Sequence, residues 1–206
     1  KEIKKILQIL KLFKSIKCLY INLSGKNIGD EITKEIVESL KELNDLKKLE
    51  IILYKNKIGT EGAIEIAKLL NNLKELESLK LDLDFNNIGD KGVIEISKVL
   101  EKLNNLNVFN ISLINNNIGD EGVFALSKCL SKLTELTILA INMGLNNIGH
   151  LGMKDMSKNL ENLKNLNTLA LCLQHNNIEN EGAVELAKSL NDLKKIFPEF
   201  ISQEKI

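Results

Sequence analysis

The stretch LESLKLDLDFNNIGDKGVIEISKVL, residues 76–100, carries the pattern that decides the fold. Leucine occupies every second position at Leu79, Leu81 and Leu83, which is the alternation of a β-strand with one apolar face. After the turn sequence Asn-Asn-Ile-Gly-Asp, apolar residues return at spacings of three and four, as on one face of an α-helix. The stretch therefore predicts a strand, a turn and a helix in succession.

The same pattern recurs along the chain with a constant period. The turn isoleucines follow one another at steps of 30 residues: Ile28, Ile58, Ile88, Ile118, Ile148 and Ile178. One such unit cannot bury its own apolar face, so neighbouring units must stack. Strands pair about 4.8 Å apart, whereas packed helices need about 8–10 Å. The strands are therefore expected to form the inner, concave side of a solenoid, with the helices outside.

The segment LDLDFNNIGDKG at residues 81–92 resembles the repeat of the ribonuclease-inhibitor-like leucine-rich repeat proteins. The resemblance covers residues 1–195 and implies an α/β leucine-rich-repeat solenoid, a horseshoe with a parallel β-sheet on the concave face and α-helices on the convex face. This unit is longer than the usual 28 or 29 residues. The extra length is expected as one added pleat in the strand, because two residues preserve the side-chain alternation.

We expect a single leucine-rich-repeat domain over residues 1–206. Residues 1–17 are predicted to be the helix of a preceding partial repeat, residues 18–195 six repeats, and residues 196–206 a tail or cap after the break at Phe197-Pro198. No polar cap is visible before Tyr20, so we expect either a fragment or a chain whose first helix is covered by something else.

Two polar positions of the repeat are expected to hold it together. The resemblance implies that one asparagine column forms a buried ladder along the stack: Asn56, Asn86, Asn116, Asn146 and Asn176. An unpaired buried amide costs on the order of 1–3 kcal/mol, so such a ladder answers a physical need. Two residues after each turn isoleucine stands a second column, in which five of the six members are standard helix-capping types: Asp30, Thr60, Asp90, Asp120, His150 and Asn180. We expect each to cap the helix of its own repeat.

Composition excludes some classes of function. Lysine plus arginine equals aspartate plus glutamate, 28 against 28, and all of the basic residues are lysine. This balance gives no electrostatic reason to expect nucleic acid or a membrane as a partner, and the absence of arginine argues against phosphoryl transfer. The three cysteines, Cys18, Cys129 and Cys172, form no CxxC pair, which is typical of a reducing compartment. We expect a cytoplasmic protein, with a cytoskeletal or ciliary location as a narrower alternative.

The predicted binding surface is the concave face. Apolar groups stand there where water is expected, and polar groups surround them: Tyr20, Ile52, Tyr54, Lys80, Asp82, Asp84, Phe85, Ile114 and Leu145. Two alternatives remain open at this point. The apolar members either contact a partner or pack against one another, and the charged members form either a polar rim or a merely solvated face.

No catalytic centre is predicted. His150 falls at a capping position, and His175, three residues after Cys172, lacks the further ligands or orienting base that metal binding or nucleophilic catalysis needs. Asp82 and Asp84 are expected to be surface acids rather than a catalytic carboxylate pair. We therefore expect no metal, no cofactor and no small-molecule substrate.

The sequence favours a non-enzymatic protein–protein interaction scaffold whose concave face binds a protein partner, as part of a larger protein or assembly. Resemblance also raises a GTPase activator like the Ran-activating leucine-rich-repeat family and an inhibitor of ribonucleases. The neutral charge and the short array count against both, and the lack of arginine counts further against the GTPase activator. A structural subunit of a cytoskeletal or ciliary assembly is not separable from a scaffold by sequence.

Overall fold

The computed structural model describes residues 2–13, 15–196 and 201–205, in which helices and strands alternate along the chain. The strands are β1 Cys18–Asn22, β2 Lys48–Ile52, β3 Ser78–Asp82, β4 Val108–Ser112, β5 Ile138–Asn142, β6 Thr168–Cys172 and β7 Ile201–Lys205. The helices are α1 Glu2–Leu10, α2 Gly29–Leu40, α3 Thr60–Asn72, α4 Gly89–Leu100, α5 Asp120–Leu130, α6 His150–Leu160 and α7 Glu179–Ile196. The predicted succession of strand, turn and helix is confirmed.

All seven strands form one open sheet in chain order, and every pair is parallel. From β1 to β6 the register advances by one repeat, so that Leu49 lies beside Leu79 and Leu79 beside Phe109. The predicted solenoid with a parallel sheet and flanking helices is confirmed. Residues 201–205 extend the sheet as β7, whereas Phe197 and Pro198 lie outside the described residues.

The added pleat of the long repeat is paired along the stack. Beyond the end of β2, the amide of Leu53 donates to the carbonyl of Asp82 at 2.8 Å. Two residues later the amide of Lys55 donates to the carbonyl of Asp84, also at 2.8 Å. The ladder of backbone hydrogen bonds therefore runs through the whole Leu-x-Leu-x-Leu segment, which keeps its leucines on the buried side.

The core is a continuous column of aliphatic side chains between the sheet and the helices. Leu79, Leu81 and Leu83 are at most 1% exposed, and Phe109 fills the equivalent position of the next repeat with no exposure. Ile96 and Leu100 cover them from α4. Burying each such side chain contributes about 1.5–3 kcal/mol to the free energy of folding. Because these side chains are buried between repeats, each repeat is stabilised by packing against its neighbours.

Each asparagine of the ladder column bridges two repeats through one side chain. Oδ1 of Asn86 accepts hydrogen bonds from the amides of Asn56 at 3.0 Å and Ile58 at 2.9 Å. Its Nδ2 donates to the carbonyls of Leu53 at 3.0 Å and Leu83 at 2.8 Å. The side chain therefore supplies the partners that the backbone loses where the strand turns toward the helix.

The prediction that the capping column acts within its own repeat is wrong. Oδ1 of Asp90 accepts from the amides of Gly119 at 2.7 Å and Gly122 at 3.0 Å, which lie at the start of α5 in the following repeat. Asp30 makes the same pair of bonds to Gly59 and Gly62 at the start of α3. Each carboxylate therefore caps the next helix and ties neighbouring repeats together.

These carboxylates also explain two conformations of the turn glycine. Gly119 has Asp90 in the capping column of the preceding repeat, and its backbone is extended with φ −113°. Gly89 has Thr60 at the equivalent position, and its φ is +64°. Without a carboxylate, the amide of Gly89 turns to the carbonyl of Asn116 at 3.0 Å, and Thr60 donates to the carbonyl of Ile88 instead. Positive φ favours glycine at Gly89, whereas at Gly119 an added Cβ would lie only 3.3 Å from Asp90 Oδ2.

Replacing a buried ladder asparagine tests the inter-repeat bonds. We expect Asn116→Ala to lower the free energy of unfolding by about 2–4 kcal/mol, because Asn116 is fully buried and several backbone groups lose their partners. Asn176→Ala is the matched control at the half-buried end of the ladder and should cost less. Urea denaturation measures both, and equal losses would contradict this account.

The cap between repeats is tested at Asp90. Asp90→Ala should lower the free energy of unfolding by about 1–2 kcal/mol and speed hydrogen exchange at Gly119 and Gly122. The exposed neighbour Lys91, changed to Ala, should alter stability by less than about 0.5 kcal/mol. Faster exchange at the start of α4 rather than α5 would show that Asp90 caps its own helix.

Candidate interaction surface

Three aromatic side chains stand on the concave side of the first three repeats. Tyr20, Tyr54 and Phe85 are 61%, 37% and 36% exposed, and we call them the aromatic ridge. The rings of Tyr54 and Phe85 meet edge to face, with centroids 5.3 Å apart and an interplanar angle of 63°. These two rings do pack against each other, yet more than a third of each stays open to solvent. Of the alternatives left open by the sequence, packing against each other is therefore observed for this pair, and contact with a partner stays a prediction.

The backbone at the end of each strand is left-handed in every repeat. The residues at this position have φ between 53° and 65°: Gly25, Lys55, Phe85, Asn115, Leu145 and His175. This conformation costs an ordinary L-residue about 1–2 kcal/mol. The stack enforces it, because the amide of Phe85 donates to the carbonyl of Ile114 at 2.7 Å and that of Leu145 donates to Gln174 at 2.9 Å. We call these six positions the left-handed column.

Beside the aromatic ridge lies a shallow depression of about 390 Å³ on the concave sheet. Its floor is low because Ala140 and Ala170 are small, and Lys80 and Asp82 stand at its edge. The carbonyl oxygen Oδ1 of Asn110 is buried there without a hydrogen-bond donor in the part of the chain that the structure describes. The depression therefore offers two opposite charges next to apolar surface.

The charged rim is partly fixed in place by the fold. Lys80 forms an ion pair with Glu50 of the previous repeat at 2.7 Å. Asp82 is half-buried, and its Oδ1 accepts from the amide of Asp84 at 3.1 Å. Of the predicted apolar residues, Ile52 and Ile114 are half-buried and Leu145 is 44% exposed.

The expectation that Asp84 is a surface acid is wrong. Its side chain is only 8% exposed, and Oδ1 accepts from the amide of Ile114 at 2.7 Å. Burial raises the pKa of Asp84 above the ordinary value, and hydrogen bonds from the Ser112 hydroxyl and the Ile114 amide offset part of that rise. Asp84 is therefore a structural link between two repeats, and it does not form a solvent-facing pair with Asp82.

Residues with potential for metal binding or catalysis are dispersed. His175 is exposed in the left-handed column and Cys172 is half-buried in β6. Among the described residues, no group of three or more His, Cys, Asp or Glu side chains could hold a metal ion. Cys129 is fully buried, which raises the pKa of its thiol to about 12 and keeps it protonated at neutral pH.

The convex face contains an apolar groove that sequence reasoning missed. Glu65 and Lys68 pair at 2.7 Å, as expected for a solubilising helix face. Between α4, α5 and α6, however, a groove of about 640 Å³ is lined by Phe124 and Leu151, which are 46% and 55% exposed. Lys128 lies 5.8 Å from the centre of the Phe124 ring. The detectable signal was Leu151, which stands at a helix position where other repeats carry charge: Glu31, Glu61, Lys91, Glu121 and Glu181.

Within residues 2–13, 15–196 and 201–205, no helix combines the length and the hydropathy that a bilayer span requires.

A pH titration of stability tests the burial of Asp84. Because the raised pKa disfavours the charged form in the folded state, the native protein loses stability as pH rises through that pKa. Asp84→Asn keeps an acceptor for the Ile114 amide without the charge. We expect a higher Tm than the parent protein at neutral pH, with a difference that shrinks as pH falls toward about 4.

Glu42→Gln is the control for this titration, since it removes the same charge from an exposed position. It should show no such pH-dependent difference. A variant at Asp84 that melts earlier at every pH would show that the hydrogen bonds to the carboxylate outweigh its burial.

The sequence and the structure were compared with known proteins. A family model described as leucine-rich repeat matches residues 75–97, 102–127 and 164–187. No curated protein sequence matches the chain. Among solved structures, leiomodin-1 actin-binding site 2 is similar with a TM-score of 0.50 and 15% identity, over 95% of this chain and 93% of that one. At this identity the likeness concerns the fold alone.

An internalin from Listeria monocytogenes str. 4b F2365 is 18% identical with a TM-score of 0.29, over 90% of this chain and 58% of that one. The repeat matches and the observed architecture agree with each other. The protein contains leucine-rich repeats in three places by family match and folds as a leucine-rich-repeat solenoid.

Proposed function

We propose that this protein is a non-enzymatic scaffold that binds a protein partner on its concave face, as part of a larger protein or assembly. The observation that carries the proposal is the aromatic ridge, in which Tyr20, Tyr54 and Phe85 keep between 36% and 61% exposure on a paired sheet. Exposed aromatic residues bury large areas with little loss of side-chain freedom, and they are enriched at protein interfaces.

The surroundings of the aromatic ridge resemble those of a typical protein–protein interface. Lys80 and Asp82 lie on β3, the strand that precedes Phe85, and they line the depression floored by Ala140 and Ala170. An apolar centre beside a polar rim is the usual arrangement of a protein-binding patch. A matching partner places apolar side chains over Tyr54 and Phe85.

Rigidity supports the same function. Backbone hydrogen bonds from repeat to repeat hold Phe85 and Leu145 in their left-handed conformation before any partner arrives. A surface that is already ordered loses little conformational entropy on binding. Leucine-rich repeats commonly serve in this way, which also supports a non-enzymatic role.

Narrower assignments remain part of this proposal. We place the repeats in the ribonuclease-inhibitor-like subfamily on the motif at residues 81–92, and the protein in the cytoplasm on its cysteine usage. The name of leiomodin-1 actin-binding site 2 makes actin the first partner to test for the cytoskeletal alternative. A GTPase activator is disfavoured because the chain has no arginine, and a GTP hydrolysis assay with small GTPases decides it.

Removing the aromatic ridge tests the concave surface. The double variant Tyr54→Ala with Phe85→Ala should weaken partner capture about thirtyfold or more, because each ring is a candidate for a loss of 2 kcal/mol or more. Capture from a cell extract is followed by crosslinking and mass spectrometry, and co-sedimentation with actin filaments is run in parallel.

Phe124→Ala is the matched control, since it removes an exposed aromatic ring from the convex groove. It should leave capture on the concave face unchanged. Capture that survives the double variant but is lost with Phe124→Ala would place the interface on the convex side and refute the proposal.

A further inference from the structure

The apolar groove on the convex face lies over α4, α5 and α6, in the middle of the array. The outer faces of these helices are exposed whatever stacks on the first or the last repeat. Phe124 and Leu151 project there with 46% and 55% exposure, and the half-buried Ala125 lies beside Phe124. A large exposed ring therefore stands next to a recess above a small side chain.

The recess exists because α5 departs from the other repeats. The position of Ala125 is occupied by an acid in the five other repeats: Glu35, Glu65, Glu95, Asp155 and Glu185. In α3, α4 and α7 this acid pairs with the lysine three residues later at 2.5–2.7 Å. Alanine deprives Lys128 of that carboxylate, and the ammonium group of Lys128 lies 5.8 Å from the centre of the Phe124 ring instead.

Opposite charges stand at the two ends of this exposed stripe on α5. Glu121 lies one helical turn before Phe124, Lys128 lies one turn after Ala125, and both charged residues are exposed. Neither of them forms an ion pair within the part of the chain that the structure describes. Positions 121, 124, 125 and 128 share one helix face. Read in either direction, the stripe places an acid opposite a lysine and a large side chain opposite a small one.

We propose that the convex groove is the interface between two copies of this chain, with their α5 helices antiparallel. A two-fold axis that passes between residues 124 and 125 brings Glu121 of each copy to Lys128 of the second copy. It also brings Phe124 of each copy onto Ala125 of the second copy, where the ring fills the recess. Leu151 adds apolar surface at the edge of the contact.

The charges favour a second copy of the chain over an unrelated protein. Lys128 gains from the second copy the carboxylate that its own helix lacks, and Glu121 gains a cation at the same contact. One stripe thus supplies both halves of every pair, which is the condition for a closed, self-complementary dimer. The concave face stays open in this arrangement, so dimerisation does not depend on the proposed partner binding.

Charge reversal tests the arrangement. Sedimentation velocity over a range of protein concentrations should show the parent protein forming a dimer, less so as salt is raised. Glu121→Lys and Lys128→Glu should each weaken dimerisation at least about tenfold, because each reversal brings like charges together at both symmetric contacts. An equimolar mixture of these two variants should dimerise again, because opposite charges then meet at both ends of the stripe.

Phe124→Ala tests the apolar contact and should also weaken dimerisation at least about tenfold. Val184→Ala is its matched control, since Val184 is 52% exposed at the equivalent position of α7. Glu61→Lys is the control for charge, because Glu61 is exposed at the position of α3 that corresponds to Glu121. Both control variants should dimerise like the parent protein.

Three results would overturn the proposal: a parent protein that is monomeric at every concentration, a dimer that both charge reversals leave intact, or a mixture of the two reversed variants that stays monomeric. Circular dichroism of each variant shows that it is folded. A monomeric parent that captures another protein, with capture lost in Phe124→Ala, would assign the groove to a different partner and overturn the proposal as well.

Discussion

The structure depends on satisfying the backbone where each strand turns toward its helix. Strand pairing ends there, and the amides and carbonyls of the turn are buried between repeats. Asn86 and its equivalents solve this with one side chain, which accepts from the turn on one side and donates to carbonyls on both. Because a single asparagine serves two repeats, the turns of neighbouring repeats must stay aligned, or buried backbone groups are left unpaired.

Much of this architecture could be predicted from the sequence, since the alternation around Leu81 and the helical spacing around Ile96 report burial directly. It is harder to infer from the sequence which helix a capping residue serves. Asp90 stands where a cap belongs, and a carboxylate looks the same in sequence whether it serves α4 or α5. Only the stacked geometry shows that it reaches Gly119 of the following repeat.

The candidate surface was predictable in position but less so in detail. Alternation correctly placed Tyr54 on the open side of the sheet, because that side has no second layer. Phe85 has the parity of the buried leucines, and it is exposed because the left-handed backbone at this position ends the alternation. It failed for Asp84, which lies where the strand bends and the next repeat closes over it. It also gave no sign of left-handed backbone at Lys55 or Leu145, because those residue types do not mark that conformation.

The left-handed column has a consequence for how such a surface changes over time. Its backbone is set by the neighbouring repeats, and its occupants range from glycine to lysine, phenylalanine and histidine, with no β-branched residue among them. Side chains in the left-handed column can be exchanged without a change in the backbone, as long as residues branched at Cβ are avoided. New specificities are thereby accessible through single codon changes at one recurring place, while the stack beneath them remains constant.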